Sequence, residues 1–563
     1  MKAMVNRCPS CGGTLQFDSA SGKLKCPYCE SVFDPGSIQT MTDAGEVTMP
    51  SEEAVLSEEV NPESSPVKTE SAGKEKKKNA KDGKMDAVVY TCPNCGAEIT
   101  CTELAAVEYC LYCGSFVTLQ KHMTRIRKPD LILPFAIDQE ACRNKYSFML
   151  ARNLYAPSEF RKKEFLNRFK GIYIPFWTYE YTYGPNVQLD GVTTKQKGDY
   201  LYEQHYDIFL KVDGKLDGVS FDASSNFDDT ISSKLAPFER AKMKPFDASY
   251  IYGYFADTAD VEENVYRRDA DQDVRDKIWR EVTANIDTGK VKTKKPDVNQ
   301  FDETFHVQKK AKLSMLPVWF LTWRKDDRVA YSVVNGDTGK IYAEIPIDIK
   351  RYLGISLLTA VILFCLLNLT VTFNVSMMLK IALFFSLLTL ILYQVQTNKM
   401  VQRITHTEDK GYLAKNGSEK TQAVKKSAVE QAFSWLWDHK KELGIGLFAL
   451  LGFLAEAVLP ILFFGFYLVI PAVVLYVLAR IVTSYRILKD KRIFLDVSGS
   501  VTAMIMSGVI LFMDPAADIF YYAMAVFSMA AIAFTAVCTM LRYNDLVTRP
   551  VPHFFERTEG STK

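Results

Sequence analysis

Hydrophobic and polar positions divide this chain in two near residue 350. Beyond that point the apolar runs reach spanning length. Tyr352 to Phe373 and Val375 to Gln394 are two such runs, broken only by Lys380 and joined by a charge-free turn around Asn374. About 20 apolar residues cross a bilayer core. Two helices joined this closely are expected to span as a hairpin, because bare backbone in lipid is costly. Ile493–Met513 and Ile519–Met540 form another pair around the acidic turn Asp514–Asp518. Leu443–Ala479 is too long for one ordinary span and holds Glu456 and Pro460 near its middle, which suggests two short helices, with one long tilted helix as the rival. Together these runs predict six spans.

Before residue 350 the periodicity is that of a mixed α+β body. Asp138 is placed to cap a helix through Arg152. A second, basic helix is expected from Ser158 to Arg168. Gly171–Tyr183 reads as a strand, and Pro175 within it predicts an edge or a bulge. Strand character returns at Tyr202–Val212 and Leu313–Trp323, and Val261–Ile286 reads as helix. Asn335-Gly336 marks a hairpin turn within Tyr331–Glu344. The expectation is an α+β domain with a mainly antiparallel sheet.

Charge orients the membrane part. Lys350 and Arg351 precede the first hairpin, and Lys399, Arg403, Lys410 and Lys415 follow it. Arg480, Arg486, Lys489, Lys491 and Arg492 lie between later spans, and Arg542, Arg549 and Arg557 follow the last. By the positive-inside rule all three hairpins put their ends in the cytosol, so both termini are expected there. Residues 1–34 are polar, with no apolar core of a signal peptide. The predicted order is ribbon 1 (1–34), a disordered linker (35–87), ribbon 2 (88–121), the α+β body (122–349), hairpin 1 (350–398), a loop (399–442), hairpin 2 (443–480), a basic loop (481–492), hairpin 3 (493–541) and a tail (542–563). Within the 399–442 loop, Ser427–Lys441 has an amphipathic pattern that suits either the membrane interface or packing on the body.

A cytosolic setting decides what the cysteines are for. Cys8, Cys11, Cys26 and Cys29 form two CxxC pairs with 14 residues between them, and Cys92, Cys95, Cys110 and Cys113 repeat that spacing. In a reducing compartment such pairs indicate metal rather than disulfides. Two CxxC knuckles close a four-sulfur tetrahedral zinc site, so two structural zinc ions are expected. Cys101 is expected to be a small buried hydrophobe. Ribbon 1 carries about +1 by its own residues and ribbon 2 about −2, and the whole chain is +2. Neither ribbon has a clearly basic face, which favours protein contact or a structural role over nucleic acid.

Signs of catalysis are sparse. The chain has 6 histidines, and His205 and His306 stand alone in the body. No GxSxG, HExxH, P-loop or dinucleotide fingerprint occurs. Asp222, Asp228 and Asp229 could bind a cation, but caps and turns are the simpler use. Few ionisable groups fall within the spans, which weighs against transport.

The stretches Ile132-Leu-Pro-Phe135, Gly171-Ile-Tyr-Ile-Pro-Phe-Trp177, Phe221-Asp-Ala-Ser224, Leu316-Pro-Val-Trp319 and Val334-Asn-Gly-Asp-Thr-Gly-Lys340 resemble a group of bacterial membrane proteins. These carry TFIIB-type zinc ribbons, a similar α+β body and a C-terminal membrane hairpin. The resemblance covers roughly residues 88–395. The sparse catalytic signal predicts a non-enzyme, and the resemblance implies a setting in envelope upkeep or envelope stress beside phage-shock (PspA-like), SPFH/flotillin-like and TPM-domain proteins, with PspA-like or SPFH-like proteins as partners. This chain differs in having two ribbons and two further hairpins. The expected function is a multi-pass zinc-ribbon scaffold at the cytosolic membrane face. A channel or lipid-handling transporter with a zinc-ribbon head is the alternative.

Overall fold

The computed structural model describes residues 7–37, 84–100, 110–285, 291–370, 374–406, 409–416 and 474–554. The body is built around one antiparallel pair, Lys170–Tyr183 and Gln308–Lys325, in which Ile174 faces Leu316 and Ile172 faces Val318. Residues 171–179 of the first strand and 313–322 of the second are buried at every position. Such continuous burial marks strands covered on both faces.

Pro175 is therefore central, not at an edge. Its missing N–H is tolerated because the neighbouring strand changes there. Phe255–Asp257 pairs with Ile172 and Tyr173, whereas Gly214–Asp222 takes over from Phe176. Pro317 sits at the matching point of the partner strand: Leu131–Ile132 pairs with Ser314 and Met315, and Arg328–Asn335 begins at Val318. The carbonyls of both prolines accept backbone bonds, from Ala223 N and Gly336 N.

Among the described residues the sheet has 12 strands, antiparallel except where Phe255–Asp257 and Leu131–Ile132 join in parallel. It is thus mixed. It also absorbs what the sequence set apart: Lys84–Thr91, Glu98–Thr100 and Gln120–Arg127 pair among themselves, and Glu98–Thr100 pairs onto Phe255–Asp257. Residues 84–87 are strand rather than linker, and the second ribbon is continuous with the body. The first ribbon keeps its own three-stranded sheet. Residues 38–83 of the linker, Cys101 and Ser427–Lys441 lie outside the described residues.

Helix Gln139–Arg152 forms as expected, with Asp138 accepting from Ala141 N at 2.7 Å. The expected 158–168 helix is instead a 3-10 turn, Ser158–Arg161, and a short helix, Lys163–Leu166. Phe160, Phe165 and Leu166 are all buried. Positions five apart do not share a helix face, so the break lets all three reach the core. Helix Asn264–Asn285 lies along the central strand through buried Tyr266, Ala270, Val274, Ile278 and Val282. The hairpin near Asn335 closes through a longer loop than the dipeptide implied, since Arg328–Asn335 is followed by Ile341–Ala343. The side chain of Asn335 accepts from Asp337 N and Thr338 N inside that loop.

Four helices are long and apolar enough to cross a membrane: Ile349–Leu367, Val375–Ile404, Arg492–Met513 and Asp518–Val547. Residues 474–488 form a fifth helix, which carries Arg480 and Arg486 within it rather than in a loop. Residues 417–473, where the middle hairpin was expected, are outside the described set. Val375–Ile404, Arg492–Met513 and Asp518–Val547 pack together through Leu379, Leu390, Ala503 and Ala531. Small hydroxyl pairs line the last contact, Ser500 to Thr535 at 2.6 Å and Ser507 to Ser528 at 3.3 Å. Small residues let helices approach closely in lipid. No part of the Ile349–Leu367 window is buried among the described residues.

The last helix runs to Val547, and Arg549–Pro550 then pairs with Arg328 and Val329. Residues 549–554 thus return from the bundle into the body's sheet.

Candidate metal centres and the junction with the membrane helices

All four CxxC knuckles share one hydrogen-bond pattern. The first cysteine's carbonyl accepts from the residue after the second cysteine: Gly12 N to Cys8 O, Glu30 N to Cys26 O, Gly96 N to Cys92 O and Gly114 N to Cys110 O, at 2.8–2.9 Å. The donor residue has positive φ in each, +74° at Gly12, +77° at Gly96, +65° at Gly114 and +58° at Glu30. Glycine takes that conformation without strain, and Glu30 is the exception.

The knuckles bring the sulfurs together in pairs. Cys8 and Cys29 Sγ lie 3.6 Å apart, and Cys11 and Cys26 lie 3.5 Å apart. In the second site Cys92 and Cys113 are at 3.8 Å, and Cys95 and Cys110 at 3.7 Å. Four sulfurs about 2.3 Å from a tetrahedral ion stand roughly 3.8 Å apart. Both groups therefore fit a metal ion, and the eight cysteines are the eight the sequence singled out. An all-thiolate set suits zinc. Four thiolates would saturate four-coordination and leave no open position for a substrate.

The two sites differ in setting. In the first, Cys8 and Cys26 are buried while Cys11 and Cys29 are exposed. That ribbon docks on the body through Phe17 N to Tyr252 O at 2.9 Å and the edge contact of Phe17 with Tyr250. In the second all four cysteines are buried. Its last knuckle is held from three sides: Thr322 Oγ1 donates to Leu111 O, Tyr331 OH to Tyr112 O and Arg324 to Cys113 O. Tyr112 OH donates to Asp257, whose carboxyl burial pushes up to about 6. Phe554 closes the fourth side, with its N–H on Cys95 O at 2.6 Å and its ring edge-on to Tyr112.

The acidic residues of the body divide by role. Asp228 caps helix Asp229–Leu235, accepting from Thr230 N. Asp229 accepts from Tyr266 OH at 2.6 Å and Lys410 N at 2.7 Å. Asp222 is fully buried, with neither oxygen hydrogen-bonded. Burial, with Asp229 beside it, holds its carboxyl well above the usual range. His205 is exposed on a strand, and His306 lies in a turn. Among the described residues no catalytic grouping forms around either.

Two charge networks had no sequence signal, because their members are distant in the chain. Buried Glu344 takes Arg403, from the end of helix Val375–Ile404, and Arg549 at 2.7 Å, from beyond the last helix. Arg549 also reaches Asp228 at 3.3 Å. Arg403 donates in addition to Leu546 O. One carboxylate thus clamps the body to the ends of two of the long apolar helices. In the bundle, Arg542 is only 4% exposed and pairs with Asp490 at 2.7 Å and Asp496 at 3.2 Å. Tyr393 OH joins Asp496 at 2.7 Å.

No family model matches the chain, and no solved structure matches it. The chain is similar to the uncharacterized protein YdjG of Bacillus subtilis (strain 168), at 24% identity over 226 residues. The match takes in 39% of this chain and 64% of the relative, just under two thirds of its length.

Proposed function

We propose that this protein is a membrane-anchored scaffold whose two zinc ribbons and α+β body present docking surfaces at the cytosolic membrane face. In this reading the termini are cytosolic, the cysteine groups hold structural zinc, and the partners are proteins, with PspA-like or SPFH-like envelope proteins as the first to try. The observation that carries it is where the body leaves large apolar side chains exposed. Tyr200, Leu201, Tyr202, Tyr206 and Phe209 all lie on one strand, Tyr200–Lys211, and each is at least 40% exposed. Concentrated exposed apolar surface marks an interaction site. The test is crosslinking in membranes followed by identification of bound proteins, with Tyr200, Leu201 and Phe209 changed together to Ser. Loss of specific crosslinked partners is expected. An unchanged partner set would overturn the reading.

A channel or lipid-handling transporter is the second reading. It is favoured by the buried Arg542, Asp496 and Tyr393 group, because ionisable side chains inside a bundle commonly serve a pathway. Flux through proteoliposomes that disappears in Arg542→Met would support it over the scaffold.

A further inference from the structure

The strand Tyr200–Lys211 pairs on one side only. It forms a 12-residue antiparallel ladder with Asn186–Lys197, which in turn carries Lys292–Thr293 on its far edge. Among the described residues the outer edge of Tyr200–Lys211 has no partner strand. The base of this hairpin is packed into the body through Val187, Leu189, Ile208 and Leu210. From Thr194 to Asp207 every residue is exposed. The hairpin therefore projects, rooted at one end.

Natural proteins block such edges with short strands, prolines, bulges or lysines. This edge is long, regular in register and free of proline, and its own lysine is only at the root, Lys211. In an antiparallel ladder every second residue turns its N–H and C=O outward, so the edge offers a row of backbone groups to an incoming strand.

Charge narrows the partner. Alternation puts Leu201, Glu203, His205, Asp207 and Phe209 on one face. Asp207 stands directly opposite Asp190 across the ladder, and Glu203 opposite Thr194. Like charges directly opposite are destabilising, and no basic side chain on the hairpin faces them from the inner strand. A basic residue on a third strand beside Asp207 would relieve this pair, and another would meet Glu203. On the other face, Tyr202 and Tyr206 offer rings to apolar side chains.

We infer that the outer edge of Tyr200–Lys211 binds an extended, basic segment of a partner protein by strand addition, with basic side chains four positions apart facing Glu203 and Asp207 and apolar ones on the other face beside Tyr202 and Tyr206. This rests on the scaffold reading and names how its partner is held. Main-chain bonding supplies affinity in this mode, and alternate side chains supply specificity.

The test uses the full chain in nanodiscs and a fluorescent synthetic peptide alternating Val with Lys. It is compared with the same peptide carrying Glu for Lys, and with an N-methylated version of the basic peptide that cannot donate backbone bonds. The basic peptide should bind roughly tenfold more tightly than the acidic one, since two cross-strand pairs change sign. The double variant Glu203→Lys, Asp207→Lys should invert that order, and N-methylation should abolish binding. Equal binding of the two peptides, or undiminished binding of the methylated one, overturns strand addition. If crosslinked partners still depend on Tyr200, Leu201 and Phe209 in that case, the scaffold reading stands without it. Loss of that dependence removes both.

Discussion

Glu344 offers the sharpest test of how body and bundle are joined. Its side chain is 3% exposed and meets Arg403, at the end of helix Val375–Ile404, and Arg549, just beyond helix Asp518–Val547. Glu344→Gln keeps the shape and removes the charge, leaving two guanidinium groups facing a neutral amide. Breaking a buried ion pair from one side costs about 3–5 kcal/mol. Arg549 keeps Asp228 and Arg403 keeps Leu546 O, so the lower end, about 3 kcal/mol, is expected. Urea unfolding in detergent, with fluorescence of Trp177 and Trp319 reporting the body core, measures the loss. Adding Arg403→Met to Glu344→Gln should recover part of it, because the second change removes an uncompensated charge. Proteolysis between body and bundle should quicken in the single variant and slow again in the double. A loss below about 1 kcal/mol, the ceiling for an exposed pair, or a double variant no better than the single, would refute the clamp.

The metal sites should respond unequally. Cys95→Ser should lower bound zinc from two ions towards one and destabilise the whole body, since that knuckle is packed under the body sheet and Phe554. Cys11→Ser should lower zinc equally but leave body unfolding nearly unchanged, as read by metal analysis and urea titration. Asp222→Asn should flatten the pH dependence of stability. Its carboxyl is raised in the folded state, so the fold holds a proton that the unfolded chain releases; stability is full below about pH 4 and falls as pH rises towards the folded value. Urea midpoints across neutral pH should therefore be higher in the variant, by an amount that grows with pH. Gly171→Ala should destabilise the body by about 1–3 kcal/mol, because an added Cβ would lie 2.4 Å from the Tyr254 ring.

Local chemistry was readable in the sequence, and long-range assembly was not. The CxxC spacing picked out all eight cysteines because knuckle geometry is set within a few residues. Asp138 was readable as a cap for the same reason. Pro175 misled because a missing N–H normally means an edge, and only the change from one neighbouring strand to another excuses it in a centre. Ser158–Arg168 misled because its polar composition suits a helix, while Phe160 and Phe165 are five apart and both buried. The clamp at Glu344 could not be read at all: Asp228, Glu344, Arg403 and Arg549 are single charges on an otherwise ordinary charged surface until the fold gathers them. The merging of the second ribbon into the sheet was hidden likewise, since pairing Glu98–Thr100 with Phe255–Asp257 spans more than 150 positions.

Residues 549–554 add a ladder to Arg328–Val329 and cap the knuckle at Cys95, yet a ribosome makes them after every described membrane helix. The body, although translated first, is completed only once the strand that follows the last apolar helix comes back to its sheet. A chain stopping before residue 549 would leave that sheet edge and the Cys95 knuckle unsealed.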